Sequence, residues 1–186
     1  MRRLIYSMGV SLDGYIADRS GAIDWTAPDE ELHRFHNQQA REVGVQLYGR
    51  GLYETMRAWE TLDQQPDATS AIREFAAIWR ATPKLVFSTT LDAVQGPETT
   101  LVREDPVETV ARLKQEPGKD LAVGGAGLAG TLVAAGLVDD FRVFVSPVLL
   151  GGGTRFFPPL DERVSLELVE TRTFGSRVVS LAYRKA

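Results

Sequence analysis

The sequence predicts an α/β three-layer sandwich, with a central mixed, mostly parallel sheet, helices on both faces and an antiparallel C-terminal hairpin. Three observations predict it. Short apolar runs alternate with segments of helical period through the first two thirds of the chain. Two of those runs lead directly into glycine-rich turns. Beyond Asp140 the helical period stops and only strand-like runs follow.

Leu4 to Val10 is short and apolar and reads as a buried first strand, followed at Asp13-Gly14 by a loop running through Gly21. Thr26-Ala27-Pro28-Asp29 has the spacing of a helix start, with a hydroxyl cap and early acids, so a helix is expected over 28 to 41. Val43 to Tyr48 is the second strand, broken by Gly49-Arg50-Gly51 before Leu52, Tyr53 and Met56 at helical spacing. Ile72, Phe75, Ala76 and Trp79 form a core-facing helical stripe. Lys84 to Ser88 and Thr100 to Arg103 read as strands, and Asp105-Pro106-Val107-Glu108 opens a helix with a capping box and proline in the first position. Leu121 to Val123 enters Gly124-Gly125-Ala126-Gly127, and the helix that follows stops at Gly136. Phe141 to Val148, Leu166 to Thr171 and Arg177 to Arg184 complete the strands.

With 186 residues, no repeats and no linker, residues 1–186 are expected to form one domain. A content of 44% hydrophobic and 25% charged residues is that of a globular protein, not of a disordered or fibrous one. The net charge of -4, without a basic stripe, argues against nucleic acid as a partner. The absence of cysteine excludes disulfides and thiolate chemistry. No apolar run is long enough to span a bilayer and no secretory segment is evident, so a soluble cytoplasmic protein is expected. His33 and His36, the only histidines, are expected at the surface, and no metal site is expected.

Gly125-Ala126-Gly127-Leu128-Ala129-Gly130 matches the G-x-G-x-x-G pattern between a strand and a helix, where bare backbone can approach phosphates. It comes late in the chain, and Phe144 to Leu150, where a Rossmann fold would carry a ribose-binding acid, holds none. Either it is a phosphate-binding turn of another kind or it only permits tight strand-to-helix packing. In Gly49-Arg50-Gly51 the guanidinium offers a planar fork suited to phosphate. Ser88-Thr89-Thr90 sets three hydroxyls at a strand end, either for a phosphorylated ribose or to cap a turn. Open α/β sheets bind ligands at the carboxyl edge of their strands, so one extended dinucleotide would touch all three turns.

The chain resembles the dihydrofolate reductase superfamily, and within it the branch containing the reductase domain of bacterial riboflavin biosynthesis. The resemblance spans essentially the whole chain. Its carriers are Met8 to Ala17, Tyr48-Gly49-Arg50, Val86-Phe87-Ser88, Val123-Gly124-Gly125-Ala126 and Pro147 to Gly153. Ser11-Leu12-Asp13-Gly14 and the Pro147 to Gly153 segment point to the riboflavin branch.

The resemblance implies NADPH as cofactor, its pyrophosphate held by the turns Gly49-Arg50-Gly51 and Gly124 to Gly127, with Leu128 beyond. It implies that Arg50, with Ser88 or Thr89, meets the adenosine 2'-phosphate, and Thr90 belongs to the same cofactor-binding set. Gly9, Ile16 and Ala17 would line the nicotinamide, and Ala17 to Ile23 would close over it. Glu30 would aid protonation of the acceptor, unless it and Asp29 are simply the acids of a helix first turn. Asp13 would position a substrate hydroxyl or serve as a turn aspartate before Gly14. Trp25, Tyr53, Trp59 and Phe157 are candidates to line a flat-ring substrate pocket, whereas Trp79 belongs to the core. A homodimer is a further implication. The expected activity is hydride transfer from NADPH to a small pterin-like or ribosyl- or ribityl-pyrimidine-like molecule. A non-catalytic NADP(H)-binding protein or ligand sensor is the alternative on the same fold.

Overall fold

In the computed structural model, which describes residues 1–160 and 162–186, strands and helices follow the expected order. The elements are β1 (Leu4–Ser11), β2 (Tyr15–Ala17), α1 (Glu30–Arg41), β3 (Val43–Gly49), α2 (Arg50–Met56), α3 (Ser70–Ala81), β4 (Lys84–Phe87) and β5 (Thr99–Val102). They continue through α4 (Pro106–Gln115), β6 (Asp120–Gly124), α5 (Ala126–Ala134), β7 (Asp140–Ser146), β8 (Thr154–Arg155), β9 (Leu166–Thr173) and β10 (Val179–Lys185).

The main sheet runs β5-β4-β3-β6-β1-β7-β10-β9, and β2 and β8 form a separate small ribbon. The first six strands in that order are parallel, while β10 is antiparallel to both β7 and β9. This is the expected mixed sheet with its C-terminal hairpin. β6 returns between β1 and β3, so the order reverses there, and the carboxyl ends of β3 and β6 open beside each other.

Capping decides where the helices begin. α1 is capped by Asp29, whose carboxylate accepts the Leu32 amide at 2.9 Å, not by Thr26, which donates to the Ile23 carbonyl at 2.7 Å. A 3-10 turn over Asp24–Thr26 consumes the residues expected to start the helix. Thr69 caps α3 through the Ile72 amide. Asp105 caps α4, accepting the Val107 and Glu108 amides at 2.8 and 3.0 Å with Pro106 in the first turn.

The core lies mainly between the sheet and α4 with α5, where Leu4, Tyr6, Val10, Leu47, Leu121 and Val123 meet Val110, Ala129, Leu132 and Val133. α1 and α3 cover the opposite face. There Trp79, buried as expected, donates from its indole to the Tyr48 hydroxyl at 3.2 Å.

Lys84 is the one buried cation of β4. Its ammonium donates to the Trp79 and Thr82 carbonyls at the end of α3, both at 2.7 Å, and lies 4.4 Å from the Trp79 ring centroid. Burial pulls its pKa down from 10.5 to about 8. Between those values the unfolded chain holds a proton that the folded chain does not, so stability gains from this group as pH rises through that window. Lys84→Met leaves two carbonyls without their donor and is expected to cost about 1–3 kcal/mol at neutral pH. Denaturant unfolding at neutral pH measures the loss, and the parent's upward slope in stability above pH 8 should be absent from the variant.

Candidate functional site

The carboxyl ends of β3, β4, β5 and β6 fall level in register, with Gly49 opposite Phe87, Phe87 opposite Val102, and Tyr48 opposite Gly124. Two hollows open there. The first is a cleft of about 540 Å³ lined by Gly49, Arg50, Gly51, Ser88, Thr89, Thr90 and Gly124 to Leu128. Three turns far apart in sequence thus share one surface. The second is a largely apolar cavity of about 320 Å³ beneath α1, with Ile5, Ala122, Met56, Trp59 and Phe75 among its walls. Leu52 and Gly124 border both, so the hollows meet at the end of β6.

Glycine suits this junction. Gly125 precedes α5 with φ +81°, where side chains are strained, and a Cβ on Gly124 would displace the end of the Leu52 side chain. α5 has no side-chain cap among the described residues, and its first internal bond is from the Ala129 amide to the Gly125 carbonyl, so the Ala126, Gly127 and Leu128 amides at the edge of the cleft have no partner among those residues. Arg50 is exposed and reaches across the mouth, donating to the Glu54 carboxylate at 2.8 Å and to the Thr90 hydroxyl at 3.3 Å. Ser88 uses its hydroxyl to accept the Thr90 and Leu91 amides, so it shapes the turn that presents Thr89 and Thr90.

Arg103 is a second cation of the cleft that sequence reasoning missed, because only the pairing of β5 with β4 brings it there. It donates to the Thr89 carbonyl at 3.4 Å and the Leu91 carbonyl at 2.7 Å.

Gly9, Ile16 and Ala17 lie on β1 and β2, and none of the three lines either hollow. A Cβ on Gly9 would come within 3.4 Å of the Thr26 methyl, so the loop after β2 rests on bare backbone there. Ile16 is buried in the core, and Ala17 pairs with Thr154, which borders the cleft.

The substrate-pocket candidates divide. Trp59 lines the apolar cavity, edge-on to Phe75 at 4.5 Å. Tyr53 is buried below the cleft, where its hydroxyl accepts the Gln95 amide at 2.7 Å and donates to the Gln95 carbonyl at 3.1 Å; it holds a loop and does not face the cavity. Trp25 sits in the 3-10 turn with its indole directed to the Ala22 carbonyl, and Phe157 packs on Phe156 and Phe141, both away from the cavity. The histidines correct the surface expectation: His33 and His36 lie on the inner side of α1 and line the cavity. Burial holds His36 down at about 4, with His33 nearby adding to it, and lowers His33 as well, so both imidazoles are neutral at neutral pH.

Glu30 does not reach the cavity. It occupies the exposed first turn of α1, and its carboxylate accepts from Arg34 at 2.6 Å. Its neighbours are equally committed, Asp29 to the cap and Glu31 to Arg172 and the Gly175 amide. These are the acids of a helix first turn, and we do not assign Glu30 as a proton donor.

Asp13 ties two segments together. Its carboxylate accepts from the Ser11 hydroxyl at 2.7 Å, the Gly151 amide at 2.7 Å and the Leu150 amide at 3.1 Å. The Leu12 amide meets the Val148 carbonyl beside it, and the Phe156 amide meets the Gly14 carbonyl. Ser11 to Gly14 and Pro147 to Gly153, read separately in the sequence, are one clamp. A Cβ on Gly153, at φ +131°, would collide with the Ala17 carbonyl.

A model of the RibD C-terminal domain matches residues 2–180. The chain belongs to that family. YyaP of Bacillus subtilis (strain 168), described as uncharacterized, is 35% identical over 185 residues, spanning 98% of this chain and 94% of that one. A putative riboflavin biosynthesis protein from Shewanella sp. PV-4 superposes with a TM-score of 0.77 at 21% identity, covering 100% of this chain and 99% of its own. Dihydrofolate reductase from Enterococcus faecalis, complexed with NADP(H), superposes with a TM-score of 0.63 at 15% identity, covering 98% and 96%. The fold of this RibD C-terminal domain family member is therefore dihydrofolate reductase-like, as the sequence resemblance implied. No helix among the described residues is long and apolar enough to cross a membrane.

The clamp has a direct signature. The Ser11 hydroxyl first, then the Gly151 and Leu150 amides, pull the Asp13 carboxyl from 3.8 to about 2. Its contribution is present above pH 3.8 and is lost as pH falls toward 2. Asp13→Ala should accelerate hydrogen exchange at the Leu150 and Gly151 amides by roughly tenfold or more while leaving the core strands protected. Unchanged exchange at both amides would show that the carboxylate does not hold the segment.

Proposed function

We propose that this chain is an NADPH-dependent reductase that passes hydride to a small acceptor with a C=N or C=O bond, of the pterin or ribosyl- or ribityl-pyrimidine type. One observation carries the reading: the cleft that gathers Gly49 to Gly51, Ser88 to Thr90 and Gly124 to Leu128 opens at Leu52 and Gly124 into an apolar cavity. A dinucleotide lying along the cleft would end where an acceptor could lie against the sheet.

The residues present fit the cofactor. The unpaired amides at the start of α5 and the bare backbone of Gly125 and Gly127 suit a pyrophosphate. Arg50 and Arg103 flank the hydroxyls of Thr89 and Thr90, a setting for the additional phosphate that separates NADPH from NADH. NADPH supplies the hydride when bound. The protein's share is to orient both molecules and to exclude water, which the walls formed by Ile23, Pro28, Leu52 and Trp59 serve. The likeness in fold to a dihydrofolate reductase complexed with NADP(H) supports the same reading. It also includes self-association, for which β9, at the sheet edge with Leu168 and Val169 exposed, offers a surface.

Arg50→Ala should weaken NADPH roughly tenfold in calorimetry, the low end for a charge-assisted pair because Glu54 already engages this side chain. NADH affinity should change little. Equal losses for the two nucleotides would remove Arg50 from the 2'-phosphate site. Reduction itself is tested by the loss of nicotinamide absorbance with dihydrofolate, the ribosylamino-pyrimidinone of riboflavin synthesis and a panel of carbonyl compounds. NADPH binding without turnover on any of them would favour a non-catalytic binder.

A further inference from the structure

In doubly wound α/β folds that bind dinucleotides, an acid at a strand end holds the adenosine ribose hydroxyl, and an arginine there takes a 2'-phosphate instead. Phe144 to Leu150, where a Rossmann fold would place such an acid, holds none. The fold supplies one from another strand. Glu104 follows the end of β5 and lines the cleft together with Arg50, Arg103 and the Ser88 to Thr90 turn. It is the only carboxylate in that lining among the described residues.

The acids around it are taken. Glu54 accepts from Arg50, and Asp105 accepts the Val107 and Glu108 amides as the cap of α4. Glu104 is exposed, and its carboxylate has no hydrogen bond and no ion pair among the described residues. Arg103, adjacent in the chain, turns away from it and donates to the Thr89, Leu91 and Asp92 carbonyls. The cap of α4 does not need Glu104 either, because Asp105 already serves the first amides. Its carboxylate is a spare acceptor on the wall of the cleft.

The cations of the cleft are less available to a phosphate than their number suggests. Arg50 is paired with Glu54, and Arg103 is held by backbone carbonyls. With Glu104 included, two guanidinium groups stand among two carboxylates, and the formal charges cancel. The start of α5 differs, since its backbone amides can meet a pyrophosphate without side-chain charge. A 2'-phosphate beside Glu104 meets like charge, whereas a ribose hydroxyl finds an acceptor.

We infer that Glu104 sets the cofactor preference of the cleft: its carboxylate accepts the adenosine ribose hydroxyl of an unphosphorylated dinucleotide and opposes the 2'-phosphate that Arg50 and Arg103 attract. This deepens the reductase reading by naming the residue that limits selection of NADPH over NADH. It rests on that reading only for the presence of a dinucleotide in the cleft. Both effects of the carboxylate act in one direction, so removing its charge moves the ratio of the two affinities.

Calorimetry at low salt tests this without turnover, using NADPH and NADH, and adenosine 2',5'-bisphosphate and adenosine 5'-monophosphate as fragments that differ only in the 2'-phosphate. In Glu104→Gln the ratio of NADPH to NADH affinity should rise roughly fivefold, the upper range for an exposed charge pair, and the fragment ratio should rise with it. The rise should shrink at about 1 M salt, where exposed charges are screened. Glu108→Gln removes an exposed acid in the first turn of α4, outside the cleft lining, and should leave both ratios as in the parent. An unchanged or lowered ratio in Glu104→Gln, or an equal rise in Glu108→Gln, would overturn the inference while cofactor binding stood. Failure of the parent to bind any of the four nucleotides would instead remove the dinucleotide, and with it the reading on which the inference rests.

Discussion

The site depends on a constraint placed on β1. This strand lies between β6 and β7 and is covered on both faces, so neither face is free to be polar in the way of an edge strand. Toward α4 and α5 it presents Leu4, Tyr6 and Val10, which fill the main core, and Tyr6 stacks on Phe156 with ring centroids 4.2 Å apart. Toward α1 it presents Ile5, Ser7 and Gly9, diminishing in size toward the carboxyl end. Close packing would ordinarily fill that taper with side chains from the facing helix. Here α1 instead stands off, and Gly124 on β6 extends the hollow sideways. Small residues at neighbouring positions on β1 and β6, Ser7 and Gly124, leave room for the cavity.

The two hollows are built by different means. The cleft is built mainly from backbone: amides at the start of α5, the glycines of two turns, and a turn shaped by the Ser88 hydroxyl. Such a surface is written in local sequence, because a glycine turn between a strand and a helix keeps its meaning wherever the strand lies. Gly49 to Gly51, Ser88 to Thr90 and Gly124 to Leu128 were accordingly legible, and so was their convergence at the carboxyl edge of a parallel sheet. Arg103 was not, since its place follows from the registry of β4 with β5 and from no motif of its own.

The cavity under α1 was read least well, for a related reason. Its walls are side chains from separate elements, and the direction a side chain faces depends on which residue starts its helix. With Thr26 as the cap, Glu30 falls within an early turn; with Asp29 as the cap, it becomes the first helical residue, exposed beside Arg34. The same phase turns His33 and His36 inward. Two histidines among the polar residues of a helix gave no sign of burial in the sequence alone. Tyr53 and Trp25 went astray differently, because an aromatic that lines a ligand and one that anchors a loop look alike until the hydroxyl or indole partner is known.

Asp13 shows how a motif can be read correctly and its purpose still be shifted. A carboxylate two residues after β1 is free to reach a ligand, yet its oxygens are spent on Ser11, Leu150 and Gly151. The clamp lies where β1 gives way to β2, and β2 pairs with β8 just past Gly153. The acid thereby fixes the loop between Pro147 and Gly153 against the strand that floors the cavity. Asp13, Asp29, Glu30 and Glu31 each engage a partner within the fold. Among the described residues, the cavity beneath α1 is lined by one cation and a set of neutral polar groups. A fold shared with dihydrofolate reductase leaves the lining of this cavity, and not the fold, to set what the cavity can receive.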